Sequence, residues 1–167
     1  MLKTCVEYGI RAIRDPNDYE ARANLMWAGS WAINGTLSAG KGVPWSVHGI
    51  EHQLSAYYDI THGVGLAIVT PHWMDYVLSE STLDRFVDFA VNVWGIEDGG
   101  DKWAAARAGI AALRDYFKAL GIPMTLHEVG IDDKLIDTMA ENLGCSLSRG
   151  YVPLTPDDVK KILRAAL

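Results

Sequence analysis

A chain of 167 residues with a hydrophobic share of 49%, including six Trp and seven Tyr, is long enough for one domain with its own core and lies far from the composition of disordered segments. A net charge of −6 without any Lys/Arg block removes the electrostatic basis for binding nucleic acid or an anionic membrane surface, and leaves small molecules and proteins as partners. Cys5 and Cys145 show no CxxC or CxxH spacing, and no apolar run approaches the roughly 18 residues of a membrane span, so a reduced, cytoplasmic setting without a targeting segment is expected.

The elements read in chain order are all helical. Leu2, Val6, Tyr8, Ile10 and Ile13 recur at helical spacing and predict a helix over residues 2 to 14, ended by "RDPND", where Pro16 stops one element and Asp18 can cap the next. "DYEARANLMWAGSWAINGTLSAG" mixes small residues with tryptophans and reads as a buried central helix. "GKGVP" breaks the chain before a helix that begins at Trp45. "VGLAIVTPHWMDYVL" is apolar almost all round and predicts a helix that Pro71 deprives of one hydrogen bond and kinks. Further helices are predicted at 82 to 94, 101 to 120, 132 to 143 and 155 to 166, the last capped by Thr155 with Pro156 at its first position; "NLGCSLSRGYVPL" before it reads as irregular. The expectation is one all-α domain over 1–167.

Within "HGIEHQLSAYYDITHG", His48 and His52 are four residues apart and project from one helix face. His62 follows a reversal at "YDIT" and opens the next helix, so a helix-turn-helix can return it towards His48. Imidazoles bind divalent iron, zinc, copper and nickel, but a complete coordination sphere needs more ligands than these. Of the nearby carboxylates, Glu51 points off the His48/His52 face and Asp59 lies in the turn, where capping is its expected task. His72, on the surface of its helix, and His127, in a loop, are assigned no chemistry. On spacing alone, a metal site and three hydrogen-bonded histidines both remain open.

"DYEARANLMWAGSWAING", "HGIEHQLSAYYDITHGVGLAIVTPHWMDYV", "VWGI" and "LGIPMTLHEVGI" together resemble the C-terminal helical domain of the iron-containing (group III) alcohol dehydrogenases, in the branch of the NADH-dependent butanol dehydrogenases. The resemblance covers nearly the whole chain and implies a multi-helix bundle of the dehydroquinate synthase-like kind. It implies that His48 and His62 ligate a divalent metal, Fe2+ or alternatively Zn2+, and that His52 stands beside metal and nicotinamide as a proton relay. It further implies NADH or NADPH as cofactor and a short primary alcohol or aldehyde as substrate. The family's two remaining metal ligands, an aspartate and a histidine on an earlier helix, and its N-terminal dinucleotide-binding domain have no counterpart in these residues. "GTLSAGKGVP" follows no strand and does not resemble a phosphate cradle.

Two readings follow. In one, the chain is the helical, metal-binding portion of an NAD(P)-linked alcohol dehydrogenase, inactive without its other half. In the other, it is a catalytically silent helical module serving assembly or interaction. Both predict an exposed, partly apolar face where the missing parts would sit, and hence a homo-oligomer or association with an N-terminal half.

Overall fold

The computed structural model describes residues 1–40, 42–144 and 147–167. Eight α-helices follow one another: α1 (Leu2–Arg14), α2 (Tyr19–Ile33), α3 (Ser46–Tyr58), α4 (His62–Val77), α5 (Leu83–Trp94), α6 (Lys102–Ala119), α7 (Ile136–Leu143) and α8 (Pro156–Ala165). Two 3₁₀ turns, Thr36–Ser38 and His127–Val129, complete the regular structure of the described residues, which include no strand.

Local chemistry sets several boundaries. Asp18 accepts from the Ala21 amide at 2.9 Å and caps α2. Thr155 and Asp158 form a reciprocal capping box that starts α8, with Pro156 at the first turn where its missing N–H has no helical partner to lose. Helix α7 begins four residues later than its hydrophobic pattern suggests, because Asp133 to Leu135 form a turn first. Pro71 stands inside α4, and the helix runs through it to Val77.

The central helix is α4, not the tryptophan-rich segment. It contacts α3, α6 and α8, and buries Gly65, Ala67, Ile68, Val69, Pro71, Met74 and Val77. Ile50 and Leu54 of α3, Ile110 of α6, Ile136 and Met139 of α7, and Ile162 and Leu163 of α8 join it in one continuous core. The expectation of a buried helix in "DYEARANLMWAGSWAING" is corrected: α2 is peripheral, packs chiefly on α1, and buries only Ala21 and Ala28. Its large side chains face outwards, with Met26 76%, Trp27 66% and Ile33 76% exposed. Helix α1 is tied down at Gly9, whose bare Cα admits the Tyr116 ring of α6, and Tyr116 donates to the Cys5 carbonyl at 2.6 Å. Cys5 is a free thiol, and Cys145 lies outside the described residues.

Candidate metal centre

The geometry of the histidine segment starts from two residues in the left-handed region. Trp45, at φ 51°, precedes α3, and Asp59, at φ 52°, ends it. A left-handed backbone is costly for tryptophan, and this one turns the indole edge-on to His48, with ring centres 4.5 Å apart. Asp59 tolerates that conformation better and reverses the chain within three residues, so that His62 becomes the first residue of α4. Asp59 therefore terminates a helix, and it provides no side-chain cap to α4, whose N-cap Thr61 also makes no side-chain cap bond.

The three imidazoles converge. Ring centres are 5.3 Å apart for His48 and His62, 5.4 Å for His52 and His62, and 6.2 Å for His48 and His52. Two imidazoles sharing one ion at a metal–nitrogen length of about 2.1 Å place their ring centres roughly 5 Å apart, a spacing that the His48/His62 and His52/His62 pairs each meet and the His48/His52 pair exceeds. All three line a cleft of about 460 Å³ whose wall includes Ile33, Trp45 and Leu147. Among the described residues, the one trio of His, Cys, Asp or Glu whose donor atoms all lie within 4.8 Å of one another is Glu51, His52 and His62, which contains His62 but not the His48 implied by resemblance. Burial, and then the positive charge His62 and His52 would carry, push the His48 imidazole below its ordinary pKa of 6.5, which favours the neutral ring that a metal needs.

Glu51 is the residue that reading for spacing missed. Although its position suggests that it points off the face shared by His48 and His52, it is fully buried and brings a carboxylate oxygen within 4.8 Å of ring nitrogens of both His52 and His62. One of its oxygens meets Nδ1 of His62, and the other accepts from the Ser55 hydroxyl at 2.6 Å. Gly65 makes the space: a Cβ there would stand 2.8 Å from the Glu51 Cγ and Oε1 atoms. The signal was present in sequence, since Val47, Ile50, Glu51, Leu54 and Tyr58 form a helical stripe that is apolar but for one carboxyl. His72 is half-buried, not superficial; burial, followed by the Arg114 charge, lowers its pKa. His127 is exposed in its 3₁₀ turn, and neither it nor His72 belongs to the cleft.

These features define an all-α domain with an imidazole-lined cleft suited to a divalent cation. A family model described as the C-terminal part of the Fe-containing alcohol dehydrogenase family matches residues 1–167, and the chain belongs to that family. It is 51% identical over 168 residues to NADH-dependent butanol dehydrogenase A of Clostridium acetobutylicum, covering 98% of this chain and 43% of that protein. NADH-dependent butanol dehydrogenase B of the same organism is 48% identical, with 100% and 44% covered. The crystal structure of NADH-dependent butanol dehydrogenase A from Thermotoga maritima superposes with a TM-score of 0.87 at 38% identity, covering 98% of this chain and 43% of that one. The chain thus spans less than half the length of the relatives it matches. No helix of the described residues is long and apolar enough to cross a membrane.

Proposed function

We propose that this chain is the helical, metal-binding portion of an NAD(P)H-linked dehydrogenase for short primary alcohols and aldehydes, with His48 and His62 holding a divalent ion and His52 relaying a proton. The observation that carries the reading is the convergence of three imidazoles on one cleft whose other walls are apolar. Fe2+ suits these nitrogen donors, as does Zn2+. When bound, the ion supplies Lewis-acid polarisation of a carbonyl oxygen and the reduced nicotinamide supplies hydride.

The chain's own residues do the rest. His52 is exposed at the cleft and holds a proton at a ring nitrogen for delivery to the alcohol oxygen, taking it back in the reverse direction. Trp45, Ile33 and Leu147 offer an apolar wall for a short alkyl chain. Two or three imidazoles do not complete a coordination sphere, so further ligands and the dinucleotide site belong, in this reading, to a separate N-terminal portion. The exposed Trp27, Met26 and Ile33 face would meet that portion or a second copy of the chain; the same face also favours the alternative of a silent assembly module.

The test is NADH oxidation with butanal and Fe2+. The 167-residue chain alone is expected to consume none, and a polypeptide joining it to the dinucleotide-binding half of a butanol dehydrogenase is expected to turn over. In that joined enzyme, His52→Ala should cut turnover by about 10²- to 10⁴-fold with metal content unchanged. Unchanged turnover, or loss of the metal, would overturn the role given to His52. Light scattering that finds only monomer across micromolar concentrations would remove the self-association.

A further inference from the structure

Among the described residues, Glu51 is the only acidic or basic side chain that is buried, and it is buried in the seam between α3 and α4 rather than at a surface. A carboxyl group in such a place requires compensation from hydrogen bonds, and two supply it: Nδ1 of His62 on one oxygen and the Ser55 hydroxyl on the other. Ser55 lies one turn after Glu51 on the same helix, and its own oxygen also stands 3.3 Å from the Ile60 carbonyl in the reversal. The network therefore joins α3, the turn and α4 through a single carboxyl.

Glu51 does not line the cleft, whereas His62 does. The carboxyl sits behind the imidazole and contacts the ring nitrogen on that side. As a carboxylate, Glu51 can only accept at both oxygens, so its contact with Nδ1 calls for the His62 proton on Nδ1 and leaves the lone pair on Nε2. Resting on the metal reading above, we propose that Glu51 is a positioning residue, which with Ser55 fixes the tautomer and orientation of His62 so that Nε2 is the ligand atom. Histidine ligands elsewhere gain basicity and a fixed ring plane from such an outer carboxylate. Gly65 belongs to the device as the residue whose missing Cβ lets Glu51 fit.

Long-range 1H–15N correlation spectra of the metal-free 167-residue chain, recorded well above the ordinary imidazole pKa of about 6.5, read the tautomer directly. The expected result is His62 protonated on Nδ1 in the native sequence, retained in Glu51→Gln, whose amide oxygen still accepts, and lost in Glu51→Ala. Protonation on Nε2 in the native chain would overturn the proposal, as would an unchanged tautomer in Glu51→Ala. Because the native spectrum needs no substitution, a variant that fails to fold leaves the test intact. Titration with Co2+ then adds a second readout: Glu51→Ala should weaken binding by about 10- to 100-fold, and Glu51→Gln should recover most of it. Equal affinity in native chain and Glu51→Ala would also overturn the proposal. A native chain that binds no Co2+ but shows the Nδ1 tautomer would sink the metal reading while sustaining the positioning of His62 by Glu51.

Discussion

Helices α2 and α4 are both apolar around most of their circumference, yet one is the centre of the fold and the other its rim. In α4, Ile68 and Val69 are completely buried, and neighbours from α3, α6 and α8 cover it. In α2, Trp27 and Met26 face solvent and the main contact is α1. Composition thus sets how much surface a helix can bury, and only the rest of the chain decides whether anything buries it. For function, the candidate centre stands on the well-covered α3–α4 pair, while the hairpin of α1 and α2 presents a surface that these eight helices do not cover.

That contrast can be broken most forcefully at Leu54. It is fully buried on the core side of α3, the helix that bears His48 and His52, so Leu54→Ala should cost about 2–5 kcal/mol in urea unfolding. Trp27→Ala on α2, despite its larger side chain, should stay within about 0.5 kcal/mol and act instead on self-association. Equal losses at the two positions would mean that α2 is covered in solution.

Smaller effects sharpen the comparison. Thr155→Ala removes half of the α8 capping box and should cost about 1 kcal/mol. Tyr116→Phe removes the hydroxyl bonded to the Cys5 carbonyl, which should cost about 0.5–1.5 kcal/mol and speed amide exchange in α1 while leaving α3 and α4 protected. Uniformly faster exchange would show that the hairpin and the centre unfold together.

Acid should act through α8. Hydrogen bonds from the Tyr76 and Thr155 hydroxyls hold the Asp158 carboxyl at about 2, below its ordinary 3.8. On acidification the unfolded chain takes up this proton first, so the contribution is complete above about pH 4 and is lost as the pH falls to about 2. Urea midpoints measured across that window should fall less steeply in Asp158→Asn than in the native chain. Parallel curves would remove Asp158 from the account.

Much of this was legible from local pattern. Helix α1, the Asp18 and Thr155 caps and the shared face of His48 and His52 follow from helical periodicity and end chemistry, which involve residues only a few positions apart. The exposure of α2 was not legible, because it depends on which distant segments arrive to cover it. Glu51 was half legible: its place in an apolar stripe marked it as buried, but its contact with His62 exists only after Asp59 has reversed the chain. The half-burial of His72 likewise comes from packing across helices, and its own sequence neighbours do not announce it.

The central claim, that His48 and His62 rather than His52 hold a divalent ion, is met most directly by metal content per chain. Native protein and the three single alanine variants would be purified without a histidine tag from iron- and zinc-supplemented medium and compared by elemental analysis. Measured in the polypeptide joined to the dinucleotide-binding half, where the coordination sphere is complete, the account predicts bound metal with the native sequence and with His52→Ala, and loss with His48→Ala and His62→Ala. Retention of metal in His48→Ala together with loss in His52→Ala would contradict it, and would assign the site to Glu51, His52 and His62, whose donor atoms lie within 4.8 Å of one another.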